Sequence, residues 1–264
     1  MTKSYSRLDL KIIAICSMFL DHGMKLFAYP IKAMLYSVTQ QVAVTEILFL
    51  LLIGFGRVAF LLFGFQIAEG VRYTHDIQGY WKRLAIFALL SEIPYQMMVS
   101  SIQTGEILVQ FCFQNVFMTL LLGAVACGLF RQMMQRCNVQ MAGVAVFACI
   151  AMAFLLHTDY GGMGVLYIFL CYLAPKKSVW YGILLLYGVW FPLEYLSMVL
   201  TGQMSLYMAV VSVGVYFANA MLAWAIIKHY HGQKGKQVHL YFFYVFYPLH
   251  ILILIGLQRI YMVF

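Results

Sequence analysis

The sequence predicts an all-α protein that crosses a membrane about nine times as one helical bundle, with its N-terminus in the cytoplasm. Three observations carry this prediction. Charged residues make up 10% of the chain, whereas soluble domains contain about 25%. Apolar runs near the roughly 20 residues that a spanning helix needs fill most of the sequence. Lysine and arginine fall mainly in the short gaps between these runs.

The apolar segments follow one another closely and leave no room for a soluble second domain. The sixth segment is the shortest of them. We therefore predict a single membrane domain over residues 1–264. The nine segments cover residues 9–29, 46–69, 84–100, 112–130, 139–156, 162–174, 179–200, 205–227 and 240–262.

The positive charges in the gaps predict the orientation. One side holds 13 of the 17 lysine and arginine residues, the other side holds Lys25, Lys32 and Arg259, and Arg57 is left over inside a segment. Because positive gaps face the cytoplasm, the N-terminus is expected there and the C-terminus outside. The 13 residues are Lys3, Arg7, Lys11, Arg72, Lys82, Arg83, Arg131, Arg136, Lys176, Lys177, Lys228, Lys234 and Lys236.

Composition also argues against two kinds of partner. A net charge of +8 would suggest nucleic acid for a soluble protein. No basic face here is large enough to follow a phosphate backbone, so we predict no nucleic-acid partner. The cysteines lack metal-ligand spacing and lie mostly inside apolar runs, so we expect no metal. They are Cys16, Cys112, Cys127, Cys137, Cys149 and Cys171.

Ionisable side chains inside the apolar segments are the candidate functional residues. Such groups are costly at bilayer depth and usually face the interior of a helix bundle. At 1.5 Å of rise per residue, four of them lie about 12–20 Å inside the membrane, whose hydrocarbon core is about 30 Å thick. We therefore predict a polar cluster near mid-depth. The four residues are His22, Arg57, Glu92 and His250, and Asp21 adjoins the first of them.

Lys11 and His22 form the most informative pair. Their spacing of 11 residues puts them on one face of a helix, about 16 Å apart. A cation at the mouth and an imidazole in the interior suit a long anionic ligand whose reactive end lies inside. Acetyl-CoA has that shape, with phosphates at one end and a thioester at the tip.

Each of these residues also has a structural interpretation. His22 alone can be a hydrogen-bonded core histidine, and Lys11 alone can be a lysine that reaches the membrane interface. Asp21 and Arg57 can form an ion pair between helices without any catalytic role. Only the joint pattern favours a catalytic site.

The same segments resemble the TraX family, named for a conjugation protein that acetylates pilin. The resemblance runs in order from residue 10 to residue 250. The matching stretches are residues 10–14 (LKIIA), 20–22 (LDH), 56–63 (GRVAFLLF), 68–70 (AEG), 72–73 (RY), 83 (R), 115 (N), 119–123 (TLLLG), 160–161 (YG) and 246–250 (FYPLH).

A more distant similarity connects the chain to the acyltransferase family 3 of membrane enzymes. The first helix of that family carries a basic residue, ten other residues and then a histidine. Lys11 and His22 reproduce this spacing, with lysine where arginine is commoner. Residues 80–83 resemble the second basic motif of that family, but its two arginines three residues apart are not found.

The TraX resemblance implies an enzyme of the bacterial inner membrane. It would move an acetyl group from cytoplasmic acetyl-CoA to an acceptor amine, with acetyl-CoA as donor substrate and no metal. The substrate known for the family implies that the acceptor is the N-terminus of a pilin or of a similar exported protein. O-acetylation of another acceptor stays open. The expected partners are the lipid bilayer, acetyl-CoA and this acceptor.

In this hypothesis His22 acts as general base or accepts the acetyl group itself. Arg57 or His250 would stabilise the developing oxyanion. Asp21 or Glu92 would orient the imidazole or the cation. We expect Asp21 to pair with a cation of another helix, such as Arg57, since adjacent helix residues do not face each other. The predicted acetyl-CoA contacts are Lys11, Glu69, Arg72, Tyr73, Lys82 and Arg83.

A proton-coupled transporter or exporter is the alternative, because buried carboxylates and histidines also form proton relays. The sequence contains no inverted repeat and no matched pair of broken helices, which are common in transporters. The acetyltransferase interpretation is therefore favoured. Binding of acetyl-CoA separates the two, because a transporter of another solute should not bind it.

Overall fold

The computed structural model describes residues 4–109, 114–174, 177–233, 235–236 and 238–263. Within these ranges the secondary-structure elements are all helices, so the predicted all-α class is confirmed. The predictions above also used Lys3, Cys112, Lys176 and Lys234, which lie outside the described residues.

The described residues form twelve α-helices and one π-helical turn. The first six helices are α1 (Arg7–Leu26), α2 (Ala28–Thr39), α3 (Val42–Gly54), α4 (Arg57–Tyr73), α5 (Ile77–Thr104) and α6 (Val116–Gln135). They are followed by α7 (Val139–Leu155), α8 (Gly161–Leu173), α9 (Lys177–Leu185), the π-helical turn Leu186–Trp190, α10 (Phe191–Leu200), α11 (Leu206–Lys228) and α12 (Phe242–Val263).

Six helical stretches in the described part of the chain are long and apolar enough to cross a membrane. The number is seven if the bent pair α1 and α2 counts as one span. The shorter apolar helices α7 and α8 correspond to the fifth and sixth predicted segments. The count of nine crossings and the cytoplasmic N-terminus stay predictions.

α1 is fixed at both of its ends. At the start, the backbone N–H of Asp9 donates to Ser6 Oγ, and Asp9 Oδ2 accepts from the backbone N–H of Ser6, which is a capping box. At the end, the chain bends by 82° at Phe27. The side chain of Gln258 in α12 donates to the Leu26 carbonyl at 2.8 Å. α12 therefore supplies a partner to a buried carbonyl at the bend.

The structure differs from the predicted segments in two places near the N-terminus. The prediction leaves a gap at residues 30–45, whereas α2 forms across most of it. Pro30 falls in the first turn of α2, where its missing N–H removes no helical hydrogen bond. The predicted segment 46–69 lies within one candidate span, Val42–Tyr73, but a turn at residues 55–56 divides this span into α3 and α4.

The interruption between α3 and α4 is held by a side chain of α1. The hydroxyl of Ser17 donates to the Phe55 carbonyl at 2.6 Å. Backbone groups at membrane depth need such partners because lipid offers none. The break is thus part of the packing between α1 and α3.

The contacts between Cα atoms divide the chain into two compact units. The first unit combines Met1–Leu62 with Ile183–Phe264, and the second is Phe63–Gly182. In the first unit, α1 packs against α12 and α3, and α11 packs against α3 and α10. In the second unit, α6 packs against α5, α7 and α8. The single domain over residues 1–264 stays a prediction.

Candidate active site

Helices α1 and α12 bring two of the predicted site residues together in the first unit. Nδ1 of His22 and Nε2 of His250 lie 2.8 Å apart. The planes of the two imidazole rings differ by only 7°. Both residues are buried, with 8% and 2% of their surfaces exposed. The structure thus joins the imidazoles of helices one and twelve directly.

The hydrogen bonds of this pair determine which nitrogen carries each proton. Nδ1 of His250 lies 2.8 Å from the backbone carbonyl of Phe246. A carbonyl only accepts, so Nδ1 of His250 carries the proton and Nε2 of the neutral ring is an acceptor. Nδ1 of His22 must then donate to it. Neutral His22 is therefore left with a lone pair on Nε2, the nitrogen that a general base uses.

Asp21 lies beside this lone pair. Its Oδ2 atom is 3.9 Å from His22 Nε2 and accepts a 2.5 Å hydrogen bond from Lys25 Nζ, one turn further along α1. The other oxygen, Oδ1, is buried and has no hydrogen-bond partner among the described residues. A carboxylate in this position stabilises positive charge that develops on His22.

The direct ion-pair partner of Asp21 thus comes from its own helix. The prediction that a cation of another helix pairs with Asp21 captures only part of the arrangement. Arg57 does interact electrostatically with Asp21, while Lys25 makes the hydrogen-bonded pair. Asp21 also approaches His22 more closely than the 100° separation of adjacent helix residues suggests.

The turn between α3 and α4 packs against Asp21. A Cβ atom at Gly56 would overlap Cβ and Oδ1 of Asp21, so only glycine fits there. Arg57 is the first residue of α4, and its guanidinium carbon lies 4.8 Å from the centre of the Tyr216 ring. This cation–π contact fixes the side chain against α11.

Lys11 lies on the same face of α1 as His22, as predicted. It is half-buried, and its Nζ atom lies 4.8 Å from the centre of the Phe243 ring in α12. Phe243 precedes His250 by seven residues, about two helical turns. α1 and α12 therefore contact each other at the level of Lys11 and again at the level of His22.

In the second unit, Arg72 connects two helices. Its Nη1 atom donates to Glu69 Oε1 at 3.0 Å, and its Nη2 atom donates to the carbonyls of Cys171 and Tyr172 near the end of α8. A cation there complements the negative end of the helix dipole. Glu69 and Arg72 thus have structural partners, and their contact with acetyl-CoA stays a prediction.

The other predicted acetyl-CoA contacts of the second unit are more open. Tyr73 at the end of α4 and Lys82 in α5 are exposed. Arg83 is half-buried, and its guanidinium carbon lies 6.0 Å from the centre of the Tyr80 ring. These three side chains are accessible to a ligand, and their role also stays a prediction.

Both carboxylate oxygens of Glu92 have partners in the second unit. Oε1 accepts from the side chain of Gln96, and Oε2 accepts from the backbone N–H and the side chain of Asn115. Asn115 caps the start of α6. A negative charge is favourable at that end of a helix, so Glu92 anchors α6. Its role in orienting an imidazole stays a prediction.

Two residues near the histidine pair were missed from the sequence. Lys25 enters the sequence prediction only as a charge that sets the orientation, although Asp21 lies four residues before it, a spacing at which opposite charges pair on a helix. Ser17 offers no local signal, because its partner is a carbonyl exposed by the α3–α4 break. Among the described ranges, no group of three or more histidine, cysteine, aspartate or glutamate side chains could hold a metal ion.

Comparison of the sequence with known proteins identifies the family to which the chain belongs. The chain matches the family model described as TraX protein over residues 6–258, which takes in both units. A protein of Dichelobacter nodosus described as a probable fimbrial assembly protein FimC of serogroup H1 is 27% identical over 256 residues. The alignment covers 95% of this chain and 94% of that protein. No solved structure matches the chain. This multi-pass helical chain belongs to the TraX family.

Proposed function

We propose that this protein is an integral-membrane acetyltransferase that moves an acetyl group from cytoplasmic acetyl-CoA to an acceptor amine. The hydrogen-bonded pair of His22 and His250 is the observation that supports it best. A general base must present an unprotonated nitrogen, and the chain of bonds from the Phe246 carbonyl through His250 leaves one on His22.

The reaction would use that nitrogen twice. The neutral amine attacks the carbonyl carbon of the thioester, and its proton passes to His22 Nε2. The tetrahedral intermediate then expels the CoA thiolate as the C–S bond breaks. The proton of His22 passes to the thiolate, so the products are an amide and free CoA.

Neighbouring charges support this role of His22. The protonated imidazole that forms during transfer would be stabilised by the Asp21 carboxylate, 3.9 Å from Nε2. Lys25 holds that carboxylate in place through the 2.5 Å bond. Arg57 carries a permanent positive charge within electrostatic range of Asp21 and would act on the developing oxyanion.

The acceptor we propose is the N-terminal amine of a pilin or fimbrial subunit. The family resemblance supports a pilin acceptor, and the name of the Dichelobacter nodosus relative connects that protein to fimbrial assembly. Such subunits reach the bacterial inner membrane before assembly, which is where we place the enzyme. A hydroxyl acceptor would follow the same chemistry and give an ester.

A transporter remains the rival hypothesis, and one observation favours it. The break between α3 and α4 lies next to the buried charges, and transporters use interrupted helices at their binding sites. Binding of acetyl-CoA separates the two functions, because a transporter of another solute should not bind acetyl-CoA.

The experiment that tests the proposal uses purified protein in detergent, isotope-labelled acetyl-CoA and a synthetic peptide with the N-terminus of a fimbrial subunit. Mass spectrometry of the peptide measures the acetyl increment. We expect transfer by the wild type and about one hundredth of its rate or less for His22→Ala. His75→Ala is the matched control, because His75 is an exposed histidine in the turn between α4 and α5. Full transfer by folded His22→Ala protein would contradict the proposal.

A further inference from the structure

A basic pocket opens beside the first turns of α1, in the first unit. Its volume is about 280 Å³. Three cations line it, Arg7 and Lys11 from α1 and Lys236 from the segment before α12, together with the ring of Phe243. Of these four residues, only Lys11 is among the acetyl-CoA contacts predicted from the sequence.

Backbone pairing builds this pocket. The backbone N–H of Tyr5 donates to the His229 carbonyl at 3.0 Å, and the N–H of Arg7 donates to the Gln233 carbonyl at 2.8 Å. Gly235 follows with a φ of 75°, and a Cβ atom there would lie 2.6 Å from Ser6 Oγ. The segment after α11 is thereby held against the start of α1, so the three cations come from two parts of the chain.

The pocket brings three positive charges together, and the carboxylates of the described residues do not pair with them. In the described part of the chain, no carboxylate lies within ion-pair distance of Arg7, Lys11 or Lys236. The nearby carboxylate of Asp9 is engaged by Ser6 in the capping box. Arg7 and Lys11 are four residues apart on one helix and repel each other. A bound anion would relieve this repulsion.

The pocket lies at one end of the contact between α1 and α12, and the histidine pair lies further along it. Lys11 contacts Phe243 at the pocket, and His22 contacts His250 about 16 Å further along α1. The residues of α1 between them on this face are apolar, and Met18 among them is buried. Positive charge at one end and a base about 16 Å away match a phosphorylated carrier with a long, uncharged arm, which would run alongside the α1–α12 contact.

We infer that the pocket of Arg7, Lys11 and Lys236 binds the phosphate groups of acetyl-CoA and so directs the acetyl end toward His22. The inference rests on the proposed acetyltransferase function. Guanidinium and ammonium groups form strong, charge-assisted hydrogen bonds with phosphate oxygens. The phosphate of an anionic lipid offers the same chemistry, so the experiment has to separate these two sources.

The test measures CoA binding by calorimetry to the full chain in nanodiscs of phosphatidylcholine. We expect Arg7→Gln, Lys11→Gln and Lys236→Gln each to weaken CoA binding about tenfold, the effect of losing one hydrogen bond between charged groups. Dephospho-CoA should bind more weakly than CoA to the wild type. Lys228→Gln is the matched control, because Lys228 is an exposed lysine of the same unit that lies outside the pocket.

The outcomes separate this inference from the proposed function. CoA binding by the wild type that none of the three pocket variants weakens would overturn the pocket assignment and leave the acetyltransferase standing. No CoA binding by the wild type would overturn both. In nanodiscs containing phosphatidylglycerol, native mass spectrometry reports bound lipid. Loss of that lipid in the variants, with unchanged CoA affinity, would make the pocket a lipid site and overturn the inference.

Two variants separate a loss of the phosphate site from a distortion of α1 and from a loss of catalysis. Lys236 lies in a loop between helices, so Lys236→Gln tests the pocket without altering α1. His22→Ala should sharply lower transfer while keeping wild-type CoA affinity, because the histidine lies far from the phosphates. Loss of CoA binding in folded His22→Ala protein would contradict a phosphate site at the start of α1.

Discussion

Nδ1 of His22 donates to Nε2 of His250 across 2.8 Å, although 228 residues separate the two histidines in the chain. This bond fixes the tautomer of His22 only while His250 keeps its own bond to the Phe246 carbonyl. His250 is therefore a positioning residue in the proposed reaction, and His22 is the base. The two roles predict different kinetic behaviour.

Replacement of the base should cost the most activity. We expect His22→Ala to lower kcat by about 10²–10⁴, the usual contribution of general acid–base catalysis. The KM for acetyl-CoA should change little, because His22 does not hold the phosphates. Steady-state kinetics on purified protein measures both values, and a rise in KM at constant kcat would assign His22 to binding.

Replacement of the positioning histidine should cost less, and its loss should be partly reversible. His250→Ala removes the acceptor of the His22 proton, so both tautomers of His22 become populated. We expect kcat to fall about 10-fold or more, within the range for general-base catalysis as a whole. His250→Gln offers an amide oxygen as acceptor and should retain more activity than His250→Ala. Equal losses in the two variants would contradict the role of His250 in fixing the tautomer of His22.

The Asp21–Lys25 pair should separate stability from catalysis. Asp21→Asn leaves Lys25 without its charged partner. Because the Lys25 side chain is 30% exposed, we expect the loss in the free energy of unfolding to stay below the roughly 3–5 kcal/mol of a fully buried pair. Adding Lys25→Met should restore part of the stability, since the orphaned cation is gone. It should not restore kcat if the carboxylate stabilises protonated His22. Recovery of activity in the double variant would make the pair purely structural.

Gly56 should tolerate no side chain. Gly56→Ala places a methyl group against Asp21, so α1 and the α3–α4 turn must separate. We expect a lower Tm and a marked loss of transfer. Gly214→Ala is the control, because a Cβ atom there meets nothing within 4 Å. In α11 that substitution should be neutral or stabilising by about 0.5–1 kcal/mol.

Glu92 tests a structural role against a catalytic one. Glu92→Gln replaces one carboxylate oxygen by an NH2 group, which cannot accept a hydrogen bond. The remaining amide oxygen is a weaker acceptor for the N–H groups of Asn115 and Gln96 than a charged carboxylate oxygen. We expect a loss of about 2 kcal/mol in unfolding free energy, as for a hydrogen bond to a charged group. Thermal unfolding in detergent measures it. Wild-type stability with a reduced kcat would instead support the predicted role in orienting an imidazole.

Parts of this site could be predicted because they depend on periodicity. The shared face of Lys11 and His22 follows from helical geometry, and depth estimates put His22 and His250 at comparable levels. The same arithmetic did not reveal the surroundings of Arg57. It treated residues 46–69 as one helix, whereas Arg57 begins a new helix after a turn that Ser17 holds from α1.

Other parts depend on partners that sequence does not mark. Arg72 is predicted to be a phosphate ligand because it is a cation near the predicted cytoplasmic end of its helix. Its partners in the fold are Glu69 and two carbonyls at the end of α8, and backbone carbonyls carry no sequence signal. The basic pocket was likewise hidden, because Arg7 and Lys236 are brought together by pairing between distant segments.

The first unit is assembled from two stretches that the whole second unit interrupts. His22 therefore emerges from the ribosome long before His250 exists, and α12 must be inserted before the pair can form. Until then, α1 lacks both the imidazole partner of His22 and the Gln258 side chain that holds its bend. Under the proposed function, proteins stalled or truncated before α12 should therefore be inert, because the base and its partner cannot meet.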